Sequence, residues 1–180
     1  MSRKSKIATR NLVFCAIFTA LGVIIARFLS ITPTESVRFS FESVPIFLSG
    51  VLFGPFWGIL VGFCTDFIGC LFSPYGFNPL FCLPPILYGL CGGLFRPLLA
   101  WKLNLLTLFS ALAPAVLLGS ILWQSFVLNF VYGSGFLALL GARSLQFAVV
   151  WVLDVIIVRL LMGSRIFHRA SLWPPKSKEA

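Results

Sequence analysis

Charge is what this sequence has least of. Its 180 residues include 14 Lys or Arg and five Asp or Glu, 11% in all, whereas soluble domains run near a quarter charged. That scarcity excludes an ordinary water-soluble fold. Histidine is nearly absent: the single one, His168, lies in the C-terminal tail, so no hydrophobic run carries an imidazole for general-base or metal chemistry. An intramembrane enzyme would need such a constellation, and none is legible. The five cysteines (Cys15, Cys64, Cys70, Cys82, Cys91) sit singly inside apolar runs with no CxxC pair. They read as small apolar helix residues, and no metal site is expected. No GxxxxGK[ST] sequence occurs, so the chain carries no phosphate cradle of its own. Neither inverted repeats nor a polar line through the whole membrane is visible, which counts against a self-sufficient secondary transporter or channel.

What remains is apolar. Hydrophobic residues make up 59% and aromatics 16%, with a mean hydropathy of +1.00. A chain of this kind forms an integral membrane domain with room for about five to seven helical spans of ~20 residues. The formal charge of +9 would suit nucleic acid or lipid. The cations, however, cluster at the ends of hydrophobic runs, where topology signals belong, so nucleic-acid binding is not expected.

Taken in order, a basic N-terminus over 1–10 (Arg3, Lys4, Lys6, Arg10) precedes span one at 11–31, interrupted only by Arg27. The run is too long for a signal peptide and lacks a small-residue cleavage site. Ala16 and Ala20 lie four apart on one helix face, with Gly22 and Ala26 repeating the spacing on another; small-xxx-small faces allow close helix approach in lipid. Residues 30–43 form a polar connection, extended over 38–42. Spans two and three share 44–72, broken at Gly54-Pro55 into two short or tilted helices. Residues 73–79 are turn chemistry. Span four covers 80–94, where Pro84 and Pro85 are expected to free backbone carbonyls beside protein or a polar cavity. Span five covers 105–132 with a kink at Pro114. Span six covers 136–162, and a basic, flexible tail occupies 164–180.

The expectation is therefore an all-α membrane protein: one domain over 1–180, six transmembrane helices in a compact bundle. Six spans put both termini on one side. That side collects Arg3, Lys4, Lys6, Arg10, Arg96, Lys102, Arg159, Arg165, Arg169, Lys176 and Lys178, and the positive-inside rule makes it cytoplasmic.

Three arginines are left on the outer side: Arg27, Arg38 and Arg143. Glu35, Glu42 and Asp66 lie in the same outer half. Ionisable groups within a span are costly and are functional candidates by default, although arginines can also snorkel to the interface and Asp66 could pair with one of them. Asp154 lies in the inner half near Arg159, where structural pairing is expected. Around the outer layer sit Phe39, Phe41, Tyr75, Asn78, Trp123, Gln124 and Gln146. Gln146 and Arg143 are three apart and share a helix face. Aromatics could stack on a planar ligand while amides and a carboxylate read its edge, and arginine forks suit ligand carboxylates. The candidate site is an outward-facing pocket for an aromatic, anionic small molecule.

Three pieces of sequence resemble the substrate-binding S components of the energy-coupling factor (ECF) vitamin transporters, in particular the folate-specific branch. They are the first span with Ala16-x-x-x-Ala20, the block 37–76 (VRFSFESVPIFLSGVLFGPFWGILVGFCTDFIGCLFSPYG), and the PPILYGL-CGGLFRP of span four. The resemblance implies a bacterial, multi-pass plasma-membrane protein that captures a vitamin, folate first, from outside. It implies delivery inward with a membrane coupling (T) subunit and two ATPase subunits, which would use the ATP and Mg; this chain itself would hold no cofactor and catalyse nothing. It also implies docking of the coupling subunit on Ala16 and Ala20. A pterin edge suits Asp66 or Glu42, and a glutamate tail suits arginines. Riboflavin, thiamine or pantothenate are the alternative vitamins, and a small secondary transporter the alternative class.

Overall fold

The computed structural model describes residues 3–34, 37–72, 78–101, 103–133 and 136–164; side chains are described from residue 9 onward, excepting 31–38, 132, 136–139 and 142 within those segments. Tyr75 and the side chain of Arg38 lie outside the described residues, as do Glu35, Lys102 and the tail beyond Ser164. Helix α1 (Arg3–Phe28) leads into two short strands, β1 (Ile31–Thr34) and β2 (Val37–Phe39). These pair antiparallel, Ile31 opposite Phe39 and Thr34 opposite Val37. The extended reading around residue 38 thus holds for β2. The all-helical expectation gains one correction, a hairpin: a four-residue strand containing Pro33 finds a partner across the turn, where isolated extended chain would leave its backbone unpaired.

Helices α2 (Ser43–Phe53) and α3 (Pro55–Leu71) follow, split where expected. Gly54 makes the break at φ 103 and ψ 173, a conformation essentially restricted to glycine, and Pro55 starts α3 with its fixed φ. Ten consecutive residues of α2, Ser43 to Leu52, are buried, so the helix is apolar all round because protein surrounds it on all sides. At ~1.5 Å per residue α2 rises only about 16 Å. A 3-10 turn (Pro79–Cys82) opens α4 (Leu83–Leu94), and a short α5 (Arg96–Trp101) follows. Pro84 and Pro85 fall in the first turn of α4. There they have no intrahelical N–H bond to lose, so the expectation that they free carbonyls along the helix is corrected.

Helix α4 lies at the centre, packed on α2 and α3, and glycine makes that possible. A Cβ on Gly50 would sit 2.8 Å from Gly93 N, one on Gly58 would sit 2.7 Å from Gly50 Cα, and one on Gly62 would sit 2.7 Å from the Pro85 carbonyl carbon. Glycines 50, 54, 58 and 62, four apart along the chain, therefore form a backbone-to-backbone seam, with Gly54 as its turn. Helix α1 covers α2 and α3. Its Gly22 and Ala26 face inward, Gly22 against Thr65, while Ala16 and Ala20 are exposed.

The far side of α4 is covered by one long rod. It comprises α6 (Leu105–Pro114), a π-helical stretch (Ala115–Trp123) and α7 (Gln124–Tyr132). Pro114 does mark a change, but as the start of π winding: a proline lacks the N–H and clashes with the carbonyl four residues back, and the wider turn relieves both. Finally α8 (Phe136–Gly163) packs on the rod and returns to α2 and β2. Among the described residues three helices are long and apolar enough to cross a membrane, Thr9–Phe28, Leu105–Val131 and Arg143–Gly163, and three shorter apolar ones accompany them. The resulting core centres on Ile46, Phe47, Val51, Leu108, Leu112 and Val158.

Candidate functional site

Short α2 decides where polar groups collect. Because it begins deep in the bundle, the hairpin connection feeds Ser40, Phe41 and Glu42 inward beside α8. There the Ser43 hydroxyl donates to Asp154 Oδ2 at 2.6 Å, with both residues buried. On α4, Tyr88 Oη lies 3.1 Å from Ser120 Oγ in the π stretch. The Ser120 carbonyl in turn accepts a long, 3.5 Å bond from Arg143 Nη1. Gln146, one turn further along α8, is buried as well. Ser43, next to Glu42, thus meets Asp154 where α2 begins, while Tyr88, Ser120 and Arg143 link α4, the π stretch and α8, with Gln146 one turn from Arg143.

Arg143 is the least compensated group of this set. It is 7% exposed, its Nε has no hydrogen-bond partner, and its guanidinium carbon lies 5.8 Å from the centre of the Phe147 ring. A buried cation with one marginal hydrogen bond among the described residues, and an aromatic face as its other polar contact, remains an energetic liability. It is also a ready partner for an anion.

A second cluster gathers at the C-terminal part of α3 and the 3-10 turn. Cys82 Sγ donates to Asp66 Oδ2 at 2.7 Å. Asn78 Oδ1 accepts from Leu80 N at 3.1 Å, capping the turn. The Trp123 indole N–H donates to the Leu80 carbonyl at 2.8 Å. Arg27 reaches over from α1 so that a Cβ on Gly69 would lie 3.3 Å from its Nη2. Gly69 is three residues from Asp66 and so on the same helix face. Ser120 and Trp123 both lie on the π stretch, three residues apart, which ties the two clusters to one element. Local departures from α winding of this type recur at functional sites.

The candidates therefore divide. Glu42, Arg143 and Gln146 join the first cluster; Arg27, Asp66, Asn78 and Trp123 join the second. Asn78 uses its side-chain oxygen as a cap and Trp123 its N–H as a strut. Phe39, Phe41 and Gln124 are half-buried, with Phe41 packed against the core. Ser43, Tyr88, Ser120 and Cys82 were not read from sequence, where single hydroxyls and thiols in apolar runs carry no pattern.

Asp154 is a correction. Paired with Arg159 in expectation, it bonds Ser43 instead, and Arg159 Nη1 has no hydrogen-bond partner. Five residues along an α-helix turn ~500°, which puts the two on different faces. Eleven residues turn almost exactly three times by the same geometry, so Arg143 and Asp154 share the buried face of α8, a spacing the sequence did display.

Comparison with known proteins follows the fold. A relative from Clostridium novyi (strain NT), the folate transporter FolT, is 32% identical over 85 residues, covering 47% of this chain and 49% of that protein; the match thus spans about half of the relative's length. A crystal structure of FolT bound with folic acid superposes with a TM-score of 0.75 at 24% identity, covering 88% of this chain and 97% of the other. The S component for biotin from an ECF-type ABC transporter gives 0.66 at 18% identity, covering 91% and 95%. At these identities the two structures speak for the fold. The family model for the ECF-type riboflavin transporter S component matches residues 6–166, nearly the whole chain. With the six apolar helical segments around a glycine seam and the small-residue face of α1 turned outward, this chain belongs to the ECF-type riboflavin transporter S component family.

Proposed function

We propose that this protein is a vitamin-capture subunit whose ligand is folate, taken from outside the cell and delivered inward by partner subunits. The carrying observation is Arg143, a buried guanidinium with no carboxylate bonded to it among the described residues. A ligand carboxylate would satisfy it with charge-assisted hydrogen bonds. Folate brings two carboxylates on its glutamate tail and a flat, donor-bearing pterin at the other end. The folate name of the partial relative and the folic acid bound in the structurally similar FolT support the same choice.

In this reading α1, α2, α3, the 3-10 turn with α4, the rod and α8 are six membrane segments of the plasma membrane. Both termini lie on the cytoplasmic side, as the positive-inside rule requires of the eleven cations gathered there. The ligand-contacting set is drawn from Arg27, Arg38, Phe39, Phe41, Glu42, Asp66, Tyr75, Asn78, Trp123, Gln124, Arg143 and Gln146. The exposed face of Ala16 and Ala20 receives a membrane coupling subunit, and two ATPases joined to that subunit supply the energy from ATP and Mg.

Riboflavin is the second reading, favoured by the family model's own description. It is uncharged and would leave Arg143 without an anion. Calorimetric titration of the purified chain with folate, riboflavin, thiamine, pantothenate and biotin separates them. Tight binding of folate alone supports the proposal. Binding of riboflavin in preference replaces it, and binding of none to a folded sample removes the capture reading.

A further inference from the structure

The bond between Ser43 and Asp154 joins residues 111 apart in sequence, at the one point where the hairpin connection becomes α2. Asp154 is 1% exposed and Ser43 6% exposed. An aspartate at that depth is costly unless it is well bonded, yet its Oδ1 has no hydrogen-bond partner. Val155 and Val158, one and four residues further along α8, belong to the apolar core, and the polar groups near the carboxylate are Ser43, Glu42 and Tyr88. The contact the carboxylate does make is directed at the chain entering α2. Residue 42, immediately before Ser43, is the half-buried Glu42, and β2 just upstream packs on α8 as well. The turn bond from Val44 N to the Phe41 carbonyl, 3.1 Å, closes the chain over this point.

We infer that Asp154 is a positioning residue for ligand capture: through the Ser43 hydroxyl it pins the junction of the hairpin connection with α2, and so fixes where the adjoining Phe41 and Glu42 are held. The capture role rests on the folate reading; the pin itself does not. Segment 40–42 then hinges about a fixed end at Ser43, and the orientation of Glu42 toward the ligand edge is set from α8.

The test has two arms on the full-length protein in detergent. Amide hydrogen exchange is followed for peptides covering residues 39–47 without ligand, in wild type, Ser43→Ala, Asp154→Leu and Asp154→Asn. Exchange there is expected to quicken in Ser43→Ala and Asp154→Leu and to stay near wild type in Asp154→Asn, whose amide oxygen still accepts from Ser43. Folate titration and release rates form the second arm. Asp154→Leu is expected to weaken folate binding roughly tenfold to a hundredfold, mainly through faster release, with Asp154→Asn restoring most of it. Unchanged exchange in Asp154→Leu overturns the pin, whether or not folate binds. Equal disturbance in Asp154→Asn overturns the route through the hydroxyl. Quickened exchange with normal folate affinity overturns the positioning role. If the wild type shows the exchange pattern but binds no folate, the pin stands and the folate reading fails. Should Asp154→Leu not fold, Ser43→Ala, which removes a single oxygen, carries both arms.

Discussion

A guanidinium held among apolar side chains, whose best hydrogen bond among the described residues is 3.5 Å to one carbonyl, is well placed to gain from an anion. Replacing Arg143 by methionine removes a buried charge and keeps the aliphatic length. The ligand-free protein is therefore expected to unfold at the same temperature or a higher one, while folate affinity falls roughly tenfold to a hundredfold; thermal unfolding with and without folate measures both. A loss of stability together with unchanged folate affinity would make Arg143 structural. Asp66 illustrates the opposite case, a carboxylate already engaged by a thiol. Cys82→Ala removes that donor and is expected to lower stability by about 1 kcal/mol, with Cys82→Ser restoring it. Equal stability of the alanine and serine variants would show the contact to be incidental. The five cysteines were legible only as apolar filler, because a thiol's donor role depends on what stands opposite it.

At the scale of elements, the α2–α3 hairpin and α4 meet through backbone. Gly50, Gly58 and Gly62 oppose Gly89, Gly93 and Pro85 closely enough that any Cβ must displace main chain. In lipid, where hydrophobicity between helices supplies little, such close approach is the main source of association. Gly89→Val is expected to cost at least the ~1–3 kcal/mol typical of overpacking, read as a lower unfolding temperature and a reduced folded yield. The exposed Gly141 gives the control, since valine there meets no neighbour and is expected to change little. A tolerated Gly89→Val would mean the seam opens without consequence. The four-residue glycine period was visible in the sequence, and so was the Gly54-Pro55 break, because both are consequences of missing side chains. The π stretch was not: Pro114 announces a disturbance, but whether the helix kinks, breaks or widens depends on the packing of the rod against α4 and α8.

At the scale of the whole molecule, the two small-residue faces of α1 have separated into different surroundings. Gly22 and Ala26 are buried against the bundle, whereas Ala16 and Ala20 are exposed on the stripe with Leu12, Val13, Ile17, Leu21 and Ile24. Tryptophan at both Ala16 and Ala20 should therefore leave the isolated protein's folate titration unchanged. Uptake in cells that also make the coupling and ATPase subunits is expected to fall to background, because close helix approach on that face is blocked. Weakened binding by the isolated variant would show that the face serves the bundle itself, and retained uptake would move the docking surface elsewhere.

The residues alone determined the solvent, the helical segmentation and the faces of close approach. These depend on composition and period: too few charges for water, apolar runs ended by Pro, Gly and cations, and glycine every fourth position. They also carried the family resemblance, since the block 37–76 is contiguous. What the tertiary structure decided is which polar groups meet. Ser43 finds Asp154 across 111 residues, and Tyr88 finds Ser120 across 32. Asp154 turns away from Arg159, and the hairpin is drawn down to the start of a helix too short to cross the bundle. Each of those pairings depends on how α2, α4, the π stretch and α8 are rotated against one another, and rotation is fixed by side chains interlocking in three dimensions rather than by any repeat along the chain.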